Sequence, residues 1–190
     1  MTRTSRTLST FAAVGALALT ALVVPAQTAQ AAPSPLQRCR SGAGADVVRH
    51  FRQGGGTAGV GFPGGPDPAN AVFPGDVVKV TVNDRYEVNV QGWAYEPYDV
   101  DGKSEPAGNG YPFPGWNKYA NFFRWNNNPG GWVGNHDPHS LRELARCKRA
   151  PSIPARWGTQ INDDNIGDNS GEWRFTFRLW CANRHRCDDL

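Results

Sequence analysis

The sequence has 190 residues, a formal net charge of +3, a 39% hydrophobic content and seven Trp. That balance suggests no electrostatic footprint for nucleic acid, and no segment is long and apolar enough for a membrane span. Frequent Gly and Pro, with many aromatic residues, favour an all-β sandwich over a helical bundle.

Residues 1–31 read as a signal peptide. Arg3 and Arg6 form a positive n-region, Phe11 to Val24 an apolar stretch, and Ala29-Gln30-Ala31 an A-x-A cleavage site. Secretion is therefore expected, with the mature chain starting near Ala32. The two arginines lost with the leader reduce the net charge to about +1. The 159 residues that remain suffice for one domain with its own core. Cys39, Cys147, Cys181 and Cys187 all fall in that domain, and an even count in a secreted chain implies two disulfides. Three connectivities stay open.

Residues 32–72 read as a Gly/Pro-rich N-terminal arm carrying one short strand at Ala45 to Phe51. The sandwich domain is expected over 73–190. Pro74-Gly75-Asp76 is a turn, after which Val78, Val80 and Val82 alternate with Lys79 and Thr81 as a half-buried strand does. Asn83-Asp84-Arg85 turns the chain, and a second strand runs from Tyr86 to Ala94. Asp99-Val100-Asp101-Gly102 has the opening of an EF-hand loop without its later Glu or its helices, and reads as a solvated turn.

From Glu105 to Gly134 the chain is rich in rings, most of them core material. Trp116 and Tyr119 stand in a loop-like P-G-W-N-K-Y stretch and are the rings best placed to stack on a sugar. His136 and His139 lack a third positioned ligand and read as surface. Ser140-Leu141-Arg142-Glu143 is a capping box, predicting one short helix from Leu141 to about Lys148 with Leu141, Leu144 and Ala145 inward. Gly158 to Ile161 is the next strand.

Asn162 to Gly171 gathers three Asp and three Asn around two Gly, and Trp173, Phe175, Phe177, Leu179 and Cys181 then alternate with polar residues as a final strand. Asn and Gly allow a tight loop. Several hard oxygen donors at one strand end suit calcium, because carboxylates this close repel unless a cation neutralises them.

The order of these motifs resembles the LecA family of calcium-dependent, galactose-binding bacterial lectins. The shared features are Pro74-Gly75-Asp76-Val77, Gly92-Trp93-Ala94, and Asn162-Asp163 followed by Gly167-Asp168-Asn169-Ser170-Gly171 before the last strand. The resemblance implies a jelly-roll-like β-sandwich and side-chain calcium ligands at Asp163, Asp168 and Asn169. It also implies a carbonyl ligand at Asn165 or Ile166, and a remote carbonyl at Tyr95 or Glu96. Sugar hydroxyls would complete the calcium shell against Asp163, Asp168 and Asn165, beside Trp116 and Tyr119. The His and Gln that contact galactose in that family have no counterpart here, so galactose preference is not implied.

The expectation is thus a secreted, calcium-dependent carbohydrate-binding protein, not an enzyme, with a glycan or cell-surface polysaccharide as partner. The alternative is a calcium-stapled module that binds a protein partner in an extracellular assembly. No G-x-S-x-G, H-E-x-x-H or Cys/His nucleophile pattern is present.

Overall fold

The computed structural model describes residues 31–62, 72–90, 95–126, 138–188 and 190. The expected leader, the Gly92-Trp93-Ala94 motif, Trp132 and His136 lie outside the described residues. In chain order the elements are α1 (Pro35–Arg40), β1 (Val47–Gly54), β2 (Gly61–Phe62), β3 (Val77–Asn83), β4 (Val88–Asn89), β5 (Pro97–Tyr98) and β6 (Lys103–Pro106). They continue with β7 (Asn117–Lys118), β8 (Asn121–Asn126), β9 (His139–Ser140), β10 (Lys148–Arg149), β11 (Arg156–Ile161), β12 (Ser170–Trp180) and α2 (Arg184–Cys187). The architecture is all-β: antiparallel sheets packed as a sandwich.

β12 organises the first sheet. Its alternation puts Trp173, Phe175, Phe177 and Leu179 inward, all buried. It pairs with β1 over eight residues and with β3 over seven, while its first two residues pair with β4, which continues to β5. β10 adds to the far side of β3. The second sheet runs β2-β11-β8-β9. Trp157 and Ile161 from β11 and Phe123 from β8 meet the first sheet's inner face in one continuous core. Each such side chain contributes about 1.5–3 kcal/mol by leaving water.

The described part of segment 32–72, residues 32–62 and Val72, is built into the sandwich and does not extend from it as an arm. It supplies α1, β1 and β2 to the same compact unit, residues 33–190. The strand expected at 45–51 extends to Gly54 because its inward residues Val47, Phe51 and Gln53 stand opposite Leu179, Phe175 and Trp173. α1 is held by a Ser34–Gln37 capping box and Pro35 in its first turn. It covers the outer end of the sheet, where Cys39, Val77 and Trp180 form a small cluster.

The disulfides join Cys39 to Cys147 and Cys181 to Cys187. The helix expected over 141–148 is instead a 3-10 turn, Leu141–Ala145, and Ala145 is exposed. The Ser140 hydroxyl accepts from the Arg142 N–H, and Glu143 turns to Lys148 and His139 and not back to Ser140. The chain must straighten there so that Cys147 reaches Cys39 and Lys148–Arg149 pairs with β3. Pro74-Gly75-Asp76 is a turn, with Gly75 at φ +91°. Asp76, fully buried, accepts from the Phe73 and Ala182 N–H groups and pairs with Arg186, tying the chain's tail to the start of β3. No helix among the described residues is long and apolar enough to cross a membrane.

Candidate functional site

The loop between β11 and β12 opens on Asn162, whose side chain is fully buried and behaves like a stretch of backbone. Its Oδ1 accepts from the Phe113 N–H at 2.8 Å, and its Nδ2 donates to the carbonyls of Phe113 at 3.1 Å and Asn117 at 2.9 Å. Its own carbonyl accepts from the Tyr119 N–H at 2.7 Å. These bonds fasten the aromatic 113–119 loop to the acidic loop. Sequence reasoning missed Asn162 as a docking residue.

Asp163 follows, 6% exposed. Its Oδ1 accepts from the Asn165 N–H at 3.1 Å, an Asx turn, and its Oδ2 accepts from Asn169 Nδ2 at 2.6 Å. Burial pushes the Asp163 carboxyl above its usual range, opposed by those two bonds and reinforced by the charges of Asp164 and Asp168. Asn165 Nδ2 donates to Asp168 Oδ2 at 3.0 Å, so Asn165 clamps both acids through its N–H groups. The short 3-10 turn Ile166–Asp168 brings Asp168 back over it, exposed, with the Ile166 carbonyl accepting from the Asn169 N–H at 3.4 Å.

Asn169 lies against Gly55, whose carbonyl accepts from Nδ2 at 3.3 Å. A Cβ at Gly55 would sit 2.8 Å from that of Asn169 and 2.9 Å from the Ser170 carbonyl oxygen, so only Gly permits the approach. Asn169 Oδ1 is buried without a hydrogen-bond partner. Among the described residues no Lys or Arg pairs with Asp163, Asp164 or Asp168.

The remaining expected residues surround this loop unequally. Tyr119, at φ +61°, stacks on Tyr98 at 5.4 Å and approaches Tyr111 at 6.2 Å. The Tyr111 hydroxyl is pushed up by burial first, then by its hydrogen bond with Tyr119 and by the charges of Asp164 and Asp163. The tyrosines therefore border the acidic loop. Trp116, 42% exposed, stands edge-on to Phe122 on the outer side of the second sheet. The Glu96 N–H donates to Asn89 Oδ1 at 2.6 Å, and Asn89 stands opposite Ser170 across the β4–β12 pairing. Tyr95 beside it is 82% exposed. Asp99 and Asp101, weighed above as a turn, are both held by Arg142, which also pairs with Asp84.

The donor set is oxygen only, which suits a hard ion such as calcium and not zinc. Among the described residues no three His, Cys, Asp or Glu side chains converge as a metal site. A calcium ion here would rely on amide and carbonyl oxygens beside the carboxylates of Asp163 and Asp168. The orphaned Asn169 Oδ1 and a buried, cation-free Asp163 are the features that fit it. The sequence matches no model of a known protein family, and a search of curated proteins finds no similar sequence.

Proposed function

We propose that this chain is a secreted, calcium-dependent carbohydrate-binding protein, with Asp163, Asp168 and Asn169 as side-chain ligands. The observation that carries the reading is a carboxylate, Asp163, buried beside an unpartnered amide oxygen with no basic side chain among the described residues to neutralise it. Leaving a buried charge unpaired costs several kcal/mol in general, so such a site calls for a cation. Bound calcium supplies a hard Lewis acid with coordination positions left for neutral oxygen ligands.

The chain's own residues supply the rest. Asp168 and Asp163 accept hydrogen bonds from hydroxyl groups, and charge-assisted bonds of that kind are roughly twice as strong as neutral ones. Tyr119 and Tyr98 give an aromatic border on which the C–H face of a sugar ring packs. Asn162 holds that border in register with the acids. The proposed activity is reversible binding without bond cleavage.

A glycan array probed with and without chelator tests the reading. Retention of a set of glycans in calcium and its loss in chelator is expected. Calcium-dependent melting with no glycan retained would instead favour a calcium-stapled module that binds a protein partner.

A further inference from the structure

The inner face of the first sheet is core, but among the described residues its outer face is covered only at one end, where α1 lies over Trp180. The register lays out what remains open. Arg52, Arg174 and Asn83 share one row across β1, β12 and β3; His50, Thr176 and Thr81 share the next; Val48, Arg178 and Lys79 the third. Neighbouring strands are about 4.8 Å apart and alternate residues about 7 Å, so two cationic rows flank a hydroxyl and imidazole row over roughly 14 Å.

A groove of about 680 Å³ runs over the first two rows and includes Arg85. A second hollow of about 320 Å³ shares Thr81 with it and continues past Lys79 and Arg178. Five cations thus line one track. Two carboxylates beside the track are already engaged, Asp84 by Arg142 and Glu172 by Arg174, while the exposed Glu87 lies past Glu172 and lines neither hollow. Arg178 bonds only the Thr81 hydroxyl, and Arg52, Lys79 and Arg85 have no acidic partner among the described residues. A chain whose net charge is only +3 concentrates unpaired positive charge on this one face.

We propose that this track binds an anionic polysaccharide, its acidic groups on the two cationic rows and its hydroxyls over Thr81, Thr176 and His50. The chemistry selects that occupant. Guanidinium forks match carboxylate and sulfate groups. The floor offers hydroxyl and imidazole partners for sugar oxygens. Among the described residues the track offers no stacking platform for nucleobases, because the Arg174 guanidinium lies 3.9 Å over the Tyr86 ring, and Phe175 and Trp180 are buried. Val48 is the one exposed aliphatic side chain among the described residues of the three rows, too little for the apolar centre that protein interfaces use. The site is independent of the acidic loop and needs no calcium.

The test is binding of dextran sulfate, with uncharged dextran as control, in excess chelator so that the calcium site is silent. Arg52→Ala/Arg178→Ala removes one cation from each hollow. Arg146→Ala/Arg184→Ala removes the same charge from residues that line neither. Wild-type binding to dextran sulfate that weakens with salt, with none to dextran, is expected. The first variant should bind at least about tenfold more weakly and the second within about twofold of wild type. Equal losses in both variants, no binding by the wild type, or equally tight binding of double-stranded DNA would each overturn the proposal.

Discussion

Asn162 and Phe113 exchange two hydrogen bonds across 49 positions of sequence, the Phe113 N–H to Oδ1 at 2.8 Å and Nδ2 to the Phe113 carbonyl at 3.1 Å. A side-chain amide thereby acts as the strand partner of a loop. The acidic turn and the aromatic turn are held together by this one residue.

Asn162→Ala should accordingly uncouple the two loops. It leaves the buried Phe113 N–H without its acceptor and takes one donor from the Asn117 carbonyl and one from the Phe113 carbonyl, which keeps the Trp116 N–H, for a loss of roughly 1–3 kcal/mol. Urea unfolding should show that loss, and proteolysis should cut first between Tyr111 and Tyr119.

The pH dependence of the calcium-free protein should contain two opposed contributions. Asp46 accepts two bonds from Arg38 and one from the Cys181 N–H, and Arg38 holds its carboxyl below the usual range. Its stabilisation is present above the unfolded-state pKa and lost as pH falls through the lower folded value. Asp163 is shifted upward by burial, so between its two values the folded state holds the proton and the unfolded state does not. Its ionisation therefore destabilises the fold as pH rises through that window, in full above it. Asp163→Asn should raise the melting temperature of the calcium-free protein at pH 7 and remove the fall in stability as pH rises through the Asp163 window, leaving the acid-side loss from Asp46 unopposed. It should also abolish any rise on adding calcium. Thermal unfolding from pH 3 to 8 checks both.

The two disulfides should contribute unequally. Cys39–Cys147 spans 108 residues and Cys181–Cys187 only six. Chain-entropy reasoning gives about 4.7 kcal/mol for a loop near the former size and roughly 2 kcal/mol for the latter. Cys39→Ser/Cys147→Ser should lower the urea midpoint more than Cys181→Ser/Cys187→Ser, and should free α1 from the outer face of the sheet.

What was legible in the sequence was what depends on neighbours along the chain. Trp173 to Leu179 alternate strictly, and β12 follows that alternation. Val78, Val80 and Val82 behave the same way in β3. The acidic loop was visible as a density of Asp and Asn, but the use of Asn165 as a donor to Asp163 and Asp168 was not, since composition does not orient an amide. Asn162 escaped notice because its partners are some 45 residues away. The helix expected after Ser140 failed for a similar reason: a disulfide to Cys39 and pairing with β3 override a local capping signal. Segment 32–72 read as an arm because its glycines obscure a strand whose partner lies at the other end of the chain.

The most direct measurement is calorimetric titration of calcium into the wild-type protein and into Asp163→Ala, each with and without a retained monosaccharide. The account predicts one calcium per chain in the wild type, sugar binding only when that ion is present, and calcium affinity lower by at least about tenfold in the variant. Unchanged calcium affinity on removal of Asp163, or no calcium bound by the wild type, would contradict it.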